Sequence, residues 1–388
     1  MKPALILYCQ HSLGMGHLVR SLAVAEALAV DFDVHFLNGG RWPAALARPA
    51  CLRIVDLPPL GMAEDASLLS LDARLDVATA LALRAVALRD LARSARPAAV
   101  VIEMYPFGRK KFSAEIEGLI DEARGALICC SVRDILVGAR HDQQRHDDRA
   151  ARILNERFDC VVVHADEAFA RLEETFQPGE PLRTAVHYSG FVSTAMPLPA
   201  TPVARSGVLV SAGGGAAGMS LLQLALAAQP GIHAATGLAM TVLAGPFLPT
   251  DDWQALQREA AGRPALSLLR ETPDLQALLR AAAVSVSQCG YNTAMDLLRT
   301  RTPSVVVPFV RERETEQLER SQRLARLGLV TLLHPTGATP AALAEAVAAA
   351  HAAGPASAAP LLHLDGAART SELLRQLVAA RQQNPGAA

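Results

Sequence analysis

The sequence predicts an α/β protein with two domains, each built on a parallel sheet wrapped by helices. Its 388 residues exceed what one ordinary hydrophobic core organises. Short apolar runs alternate with longer Ala- and Leu-rich helical segments, which is typical of parallel sheets. A proline-rich segment, 195–205 (AMPLPATPVAR), interrupts this alternation, which then restarts. We therefore expect an N-terminal domain over 1–195, a C-terminal domain over 203–363, and a final helix with a polar tail over 364–388.

The apolar runs that predict strands are four or five residues long, and each is followed by a helix-like stretch. In the first domain they are 4–8, 34–37, 99–102, 127–131 and 160–163. In the second they are 208–211, 241–244, 265–269, 284–287, 304–308 and 330–333. Because ligands bind at the carboxyl ends of parallel strands, residues that follow these runs are the candidates for function.

Composition excludes several classes of protein. A net charge of -1, with 51% hydrophobic and 19% charged residues, describes a globular chain without electrostatic attraction to nucleic acid or acidic lipid. No apolar stretch reaches the roughly 18 residues of a membrane span. The six cysteines form no CxxC pair, which argues against a disulfide framework or a zinc knuckle. We expect a cytoplasmic protein with no nucleic-acid partner and no membrane span.

The first candidate site follows the first strand and opens a helix. It contains His11, Gly14, Gly16, His17 and Arg20. The glycines let the backbone approach a ligand, and the helix N-terminus offers N–H groups with a partial positive charge. The third glycine and the acidic residue of a dinucleotide-binding fingerprint are missing, which disfavours a dehydrogenase. His17 is suited to accept a proton near neutral pH, although a histidine that only packs this turn is the simpler alternative.

The second candidate site follows the first strand of the second domain. It contains three consecutive glycines, Gly213, Gly214 and Gly215, with a fourth at Gly218. A plain turn needs only one glycine, whereas a loop without side chains can surround an anion with its amides. The pattern therefore favours close approach of a ligand.

The third candidate site follows the strand that ends at 287. Its residues are Gln288, Cys289, Gly290, Tyr291, Asn292 and Thr293, with Asp296 further on. We expect Asn292 or Thr293 to cap the next helix, whose N-terminus would bind an anion. Asp296 would lie about one turn into this helix, where a carboxylate can reach paired hydroxyls. An ordinary capped turn is the alternative.

Two charged segments have both a simple and a functional interpretation. Glu316 and Gln317 follow the strand ending near Pro308 and belong either to a solvated helix start or to a site for sugar hydroxyls. The segment 140–148 (RHDQQRHDD) alternates charges and is interpreted as a solvated face or loop rather than as metal ligands. No metal site is expected.

Taken together, the motifs resemble those of GT-B glycosyltransferases, in particular the family 28 group that includes the N-acetylglucosaminyltransferase of peptidoglycan lipid synthesis. They are also similar to those of a bacterial group of predicted glycosyltransferases, which have Gly-x-Gly-His-x-x-Arg early and Gly-Tyr-Asn-Thr late in the chain. The likeness spans both halves. It implies two Rossmann-like domains facing each other across a cleft, with the donor nucleotide on the C-terminal domain and the acceptor mostly on the N-terminal one.

The resemblance also implies roles for single residues. The donor diphosphate would contact the Gly213–Gly215 loop and the segment Gly290–Thr293, and Asp296 would bind the ribose, although it is one methylene shorter than the glutamate of the peptidoglycan enzyme. Glu316 and Gln317 would contact the donor sugar. His17 would act as the base or orient the acceptor. The remaining residues expected on the donor side are Gly14, Gly16, Arg270, Thr272, Gln288 and Cys289.

Two further segments end strands of the first domain and are expected to face the same cleft. One contains Glu103 and Tyr105, the other Arg133 and Asp134. Either carboxylate is an alternative base, because burial raises the pKa of a carboxyl group towards the useful range. We rank His17 above both. Tyr105 and Arg133, with His11 and Arg20, are assigned to the acceptor side.

The expected function is transfer of a sugar from a nucleotide-diphosphate sugar, with uridine diphosphate as the guess from the family, to an acceptor hydroxyl. Inversion, no cofactor and no metal are expected. A nucleotide-sugar hydrolase is a close alternative, because a GT-B-like hydrolase of nonulosonic acid synthesis shares Gly-x-Gly-His-x-x-Arg. A non-catalytic sugar-nucleotide sensor is the alternative from another class. A 2-epimerase is disfavoured, since no matching acid and base set is present.

Overall fold

The computed structural model describes residues 2–11, 15–44, 46–63, 65, 67–136, 141–194, 204–215, 218–310, 315–355 and 362–383. The chain divides into two compact units. The N-terminal unit comprises Met1–Ser193 with His363–Ala388, and the C-terminal unit comprises Thr194–Leu362. Most of the predicted proline-rich linker, 195–203, lies outside the described residues.

The N-terminal unit alternates strands and helices. Its strands are β1 (Ala4–Cys9), β2 (Asp33–Asn38), β3 (Arg53–Asp56), β4 (Leu60–Met62), β5 (Leu68–Ser70), β6 (Ala99–Glu103), β7 (Leu127–Arg133), β8 (Cys160–His164) and β9 (Ala185–Tyr188). Its helices are α1 (Gly16–Leu28), α2 (Val77–Ala95), α3 (Ser113–Glu122), α4 (Gln143–Arg157) and α11 (Gly366–Gln383), with 3-10 turns at Lys110–Phe112 and Leu172–Glu174.

Within the described residues, the main sheet of this unit has seven parallel strands in the order β3-β2-β1-β6-β7-β8-β9, and β4 and β5 form a separate antiparallel pair. Leu5 and Leu7 of β1 pack against α1 and α11, whereas Tyr8 reaches α2 and α3 on the other face. The five predicted strands are confirmed, each within two residues at either end. Sequence patterning missed β3 and β9, because their half-exposed residues give no continuous apolar run.

The C-terminal unit has the same plan. Its strands are β10 (Val208–Ser211), β11 (Met240–Leu243), β12 (Leu266–Leu269), β13 (Val284–Ser287), β14 (Ser304–Val306) and β15 (Thr331–Leu332). Its helices are α5 (Met219–Thr236), α6 (Thr250–Ala260), α7 (Leu275–Ala281), α8 (Tyr291–Thr300), α9 (Glu316–Arg326) and α10 (Pro340–Ala353), with a 3-10 turn at Pro335–Gly337. All six strands follow the predicted runs.

Sheet order decides which loops become neighbours. In the N-terminal unit β1, β6, β7 and β8 are adjacent, and Glu103 at the end of β6 lies beside Ser131 of β7. In the C-terminal unit the order is β12-β11-β10-β13-β14-β15 over the described residues, with Ser211 of β10 beside Ser287 of β13. The glycine loop after β10 and the loop after β13 therefore begin side by side.

None of the described helices combines the length and the apolar character needed to cross a membrane.

Candidate active site

His17 and Glu103 form the centre of the site in the N-terminal unit. His17 is the second residue of α1, which begins at Gly16 as the sequence predicts, and Glu103 is the last residue of β6. The adjacency of β1 and β6 brings them together, with Nδ1 of His17 2.5 Å from Oε1 of Glu103. The His17 side chain keeps 25% of its surface exposed, whereas Glu103 is 1% exposed.

Two arginines hold the same carboxylate. Nη2 of Arg20 donates to Oε1 of Glu103 at 2.6 Å, and Nη2 of Arg109 donates to Oε2 at 2.7 Å. Burial alone would raise the pKa of Glu103, as expected for a candidate base, but His17, Arg109 and Arg20 together hold that pKa well below its usual range. The expectation of a raised pKa at Glu103 is therefore wrong, because the arginines outweigh desolvation.

The protonation state of His17 follows from these neighbours. Glu103 is ionised, so it accepts a hydrogen bond and the Nδ1 atom of His17 carries the proton. Burial lowers the pKa of His17 to about 4, with Arg109 and Arg20 adding to the effect against the opposing influence of Glu103. A second proton would add positive charge next to two arginines. The ring is therefore neutral at physiological pH, with the Nε2 lone pair as its basic position.

A cavity of about 120 Å³ lies beside His17 within the N-terminal unit. Among the residues that line it are His17, Met104, Phe107, Arg109, Arg133 and His146. Of the residues predicted for the acceptor side, Arg133 lines the cavity directly, and Arg20 lies buried beneath it against Glu103.

Three other predicted residues are directed elsewhere. His11 is buried, with Nε2 3.0 Å from Oδ1 of Asn38, and Tyr105 donates from its hydroxyl to Glu117 at 2.5 Å. Burial lowers the pKa of His11 and raises that of Tyr105. Asp134 is 1% exposed and is not among the residues that line the cavity. Their placement favours support of the loops over contact with a substrate.

The charged segment 140–148 is not simply a solvated face. Residue 140 lies outside the described residues, but Gln143, His146 and Asp147 of α4 line the cavity. Asp147 is buried and accepts hydrogen bonds from Nε2 of Gln143 at 2.7 Å and from the amide of Gln177 at 3.0 Å. Among the described residues, no three His, Cys, Asp or Glu side chains are grouped so as to hold a metal ion.

In the C-terminal unit the glycine loop has two separate requirements for glycine. Gly213 has a φ of +59°, and a side chain there would have no described neighbour closer than Oγ1 of Thr293, 3.9 Å from the added Cβ. Gly215 has a φ of +91°, and a Cβ there would lie 2.6 Å from the carbonyl oxygen of Ala244. Close packing against Ala244 therefore excludes a side chain at residue 215. At Gly213 the described residues leave room beside α8, and only the positive φ favours glycine. Gly14 lies outside the described residues.

The N-terminus of α8 is built differently from the sequence prediction. The N-cap is Gly290, the helix begins at Tyr291, and no described side chain caps it. The expected capping role of Asn292 or Thr293 is therefore wrong, because both lie inside the first helical turn. A glycine cap places no side chain over the first-turn amides, which suits approach by an anion.

Side chains of α9 fix the loop that precedes α8. Oε1 of Gln317 accepts from the amides of Cys289 and Phe309, both at 3.1 Å. The fully buried Arg320 donates to the carbonyl of Cys289 at 2.9 Å, and its Nη2 lies 3.7 Å from Oε2 of Glu316. Gln317 thus orders the loop between β13 and α8, a role that the sequence did not suggest.

Asp296 lies in α8 and is half-buried. Nε2 of Gln276 donates to its Oδ1 at 2.8 Å, and the same nitrogen contacts Oγ1 of Thr194 at 3.0 Å. Burial raises the pKa of Asp296 to about 6, although Gln276 acts in the opposite direction. After β12, Arg270 donates to the carbonyl of Leu248 at 3.2 Å. The hydroxyl of Thr272 accepts from the amide of Asp274, which caps α7.

Sequence reasoning missed several buried polar residues. Arg109 follows Gly108 directly, so a cation after the end of a strand was the available signal. Arg84 is fully buried in α2 and donates to Glu115, Tyr8, Gln10 and two backbone carbonyls. It interrupts an apolar i, i+4 row, which is a recognisable pattern. His164, between the hydroxyls of Ser131 and Ser189, gives no sequence signal.

Comparison with known proteins identifies a family domain in the C-terminal unit. Residues 211–360 match the model of the glycosyltransferase family 28 C-terminal domain. No curated protein sequence matches the chain.

Solved structures match the chain over almost its whole length. The calicheamicin glycosyltransferase CalG4 is 18% identical, with a TM-score of 0.58 over 99% of this chain and 98% of its own. Acinetobacter baumannii MurG is 15% identical, with a TM-score of 0.54 over 99% and 100%. A UDP-glucosyltransferase from Polygonum tinctorium, in complex with 3,4-dichloroaniline, is 16% identical, with a TM-score of 0.59 over 98% and 94%.

These likenesses show that the chain has the GT-B fold, which these glycosyltransferase structures share. Within the C-terminal unit, residues 211–360 carry the likeness to the family 28 C-terminal domain.

Proposed function

We propose that the protein transfers a sugar, with inversion and without a metal, from a uridine-diphosphate sugar to the hydroxyl of a small acceptor that binds beside His17. The observation that carries the proposal is the His17–Glu103 pair, with a neutral imidazole at the edge of a cavity. The family 28 domain in the C-terminal unit supports a nucleotide-sugar donor.

His17 supplies the base. Its Nε2 removes the proton from the acceptor hydroxyl, while Nδ1–H remains bound to Glu103 and stabilises the imidazolium as it forms. Glu103 stays ionised throughout, because two arginines hold it. The acceptor oxygen then forms a bond to the anomeric carbon.

The leaving group takes the electron pair of the breaking bond. As the bond from the anomeric carbon to the diphosphate breaks, negative charge collects on the diphosphate oxygen. The glycine loop after β10 and the N-terminus of α8 follow adjacent strands, so their amides are suited to stabilise that charge. Preorganised amides and a helix dipole supply what a metal ion supplies elsewhere, and the proposal therefore includes no metal.

Uridine as the nucleoside of the donor is supported by the similar proteins. The Polygonum tinctorium enzyme is a UDP-glucosyltransferase, and TcCGT1, 14% identical to this chain, was solved in complex with UDP. VinC, 15% identical, was solved with dTDP, so thymidine donors belong in the test.

A two-stage experiment tests the proposal. A thermal-shift screen of nucleoside diphosphates and their sugars identifies the donor, because a ligand of the native state raises the melting temperature. Release of the nucleoside diphosphate is then measured with and without a panel of hydroxyl acceptors. The proposal expects release that depends on the acceptor and a glycoside of inverted anomeric configuration. Free sugar formed at full rate without any acceptor would instead identify a hydrolase.

A further inference from the structure

The loop that follows β6 turns back on itself in a strained conformation. Met104 and Arg109 have φ values of 62° and 61°, in the left-handed region that non-glycine residues rarely adopt. The amide of Gly108 donates to the carbonyl of Met104 at 2.7 Å and closes the turn. Such conformations persist where surrounding contacts enforce them and are concentrated at functional sites. This turn returns Arg109 to the carboxylate of Glu103, six residues earlier in the chain.

The two oxygens of Glu103 have different partners. Oε1 accepts from both His17 and Arg20, whereas among the described residues Oε2 is bound by Arg109. Arg20 comes from α1 and is 3% exposed, so it belongs to the buried side of the pair. Arg109 is 14% exposed and also lines the cavity. Its contact with Oε2 fixes how the carboxylate plane is rotated and thus where Oε1 points.

We propose that Arg109 is a positioning residue that aligns Glu103 with His17 and links the acceptor cavity to the base. This inference rests on the proposed function, since it assigns Arg109 a part in the same reaction. Arg109 touches Glu103 rather than the reacting atoms, so it acts through the carboxylate. When Arg109 is removed, Oε2 stays buried but loses the hydrogen bond from that arginine. The carboxylate can then rotate about its contacts at Oε1, which misaligns the imidazole.

The charges around Glu103 determine the expected pH response. His17 and Arg20 approach from α1 and Arg109 from the loop after β6, while Cys9 of β1, Cys130 of β7 and His164 of β8 are close enough to interact electrostatically. Burial raises the pKa values of both thiols and lowers the pKa of His164 to about 3, so all three are neutral. Arg109 therefore provides one of the two positive charges that disfavour protonation of His17.

The experiment compares Arg109→Gln and Arg109→Lys, with Arg93→Gln as the control. Arg93 makes a two-bond contact to Glu122 at the surface, so its loss removes an Arg–Glu pair without touching the site. For Arg109→Gln we expect kcat to fall by roughly 10- to 100-fold with donor KM nearly unchanged. The acid limb in the pH profile of kcat/KM for the acceptor, measured at saturating donor, should move upward by about one pH unit, because a cation near His17 is gone. Arg109→Lys should restore the position of the limb, and Arg93→Gln should match the wild type.

A second measurement does not depend on turnover. NMR titration of histidine-labelled protein reads the pKa of His17 directly in each variant, and the resonance is assigned with His17→Ala. An upward shift in Arg109→Gln that Arg109→Lys reverses supports the inference even if no sugar transfer is found, which would defeat only the proposed function. Wild-type kcat and an unmoved His17 titration in a folded Arg109→Gln would overturn it. A lower melting temperature with unchanged kcat and titration would show that Arg109 is only structural.

Discussion

Nδ1 of His17 lies 2.5 Å from Oε1 of Glu103, Arg20 donates to the same oxygen, and Arg109 donates to Oε2. A carboxylate beside a histidine usually favours the charged imidazole. Here the arginines already neutralise Glu103, and burial disfavours a further charge. The arrangement therefore orients the imidazole without protonating it, which is what a general base requires.

Glu103→Gln tests this orientation. A glutamine has no charge to stabilise the imidazolium, so we expect kcat to fall by roughly 10²- to 10⁴-fold while donor affinity stays within a few fold. In the wild type, kcat/KM for the acceptor at saturating donor should stay on its plateau down to about pH 5 and fall as pH drops through about 4, where His17 gains a proton. An unperturbed histidine would lose activity near pH 6.5.

The control for this variant is Glu122→Gln, a surface glutamate paired with Arg93. It should retain wild-type kinetics. A Glu103→Gln protein with wild-type kcat, or an acid limb of the wild type near pH 6.5, would contradict the account of the pair.

Asp296 is expected to bind the ribose hydroxyls of the donor, which donate to an ionised carboxylate. Because burial raises its pKa to about 6, nucleotide affinity should weaken as pH falls through about 6. Asp296→Asn should bind uridine diphosphate roughly tenfold more weakly at pH 7.5. The affinity of the variant for uridine diphosphate should also vary less with pH than that of the wild type. The remaining variation should be that caused by protonation of the diphosphate itself. Calorimetry at pH 5.5 and 7.5 measures both effects, and equal affinities of variant and wild type would rule out the ribose assignment.

A variant of Gln317 distinguishes a contact with the donor sugar from support of the loop between β13 and α8. Gln317→Ala leaves the amide of the buried Cys289 without its acceptor, at a cost of about 1–3 kcal/mol, and the amide of the half-buried Phe309 without its acceptor at a smaller cost. We expect a lower melting temperature and weaker binding of uridine diphosphate alone. Gln322→Ala, an exposed position on the same helix, is the matched control. If Gln317 only contacts the donor sugar, affinity for the diphosphate and the melting temperature will be unchanged.

The sequence predicted those features that depend on local pattern. The central strands are continuous apolar runs, so the positions of Glu103 at the end of a strand and of His17 at the start of the helix after β1 followed directly. Whether their side chains meet depends on β1 and β6 being neighbours, a pairing across about ninety residues that no local pattern encodes. The arginine that reaches Oε2 of Glu103 was missed for the same reason, because its role depends on the strained return of the loop after β6.

Capping in the C-terminal unit shows a second limit. Asn292 and Thr293 are preferred capping residues, yet the helix starts at Tyr291, two or three residues earlier than they require. The loop before it is held from outside by Gln317 and Arg320, so tertiary contacts override the local preference. The family resemblance implied a sugar contact for Gln317, and the structure adds that its Oε1 accepts from two backbone amides, which no local pattern indicated.

The most direct test of the central claim is sugar transfer by His17→Ala, measured with the donor and acceptor that the screen identifies. The account predicts that the variant binds the donor within a few fold of the wild type by calorimetry, yet forms glycoside at least about 10³-fold more slowly, because only the base is lost. Transfer by His17→Ala at the wild-type rate would contradict the claim that this imidazole is the base.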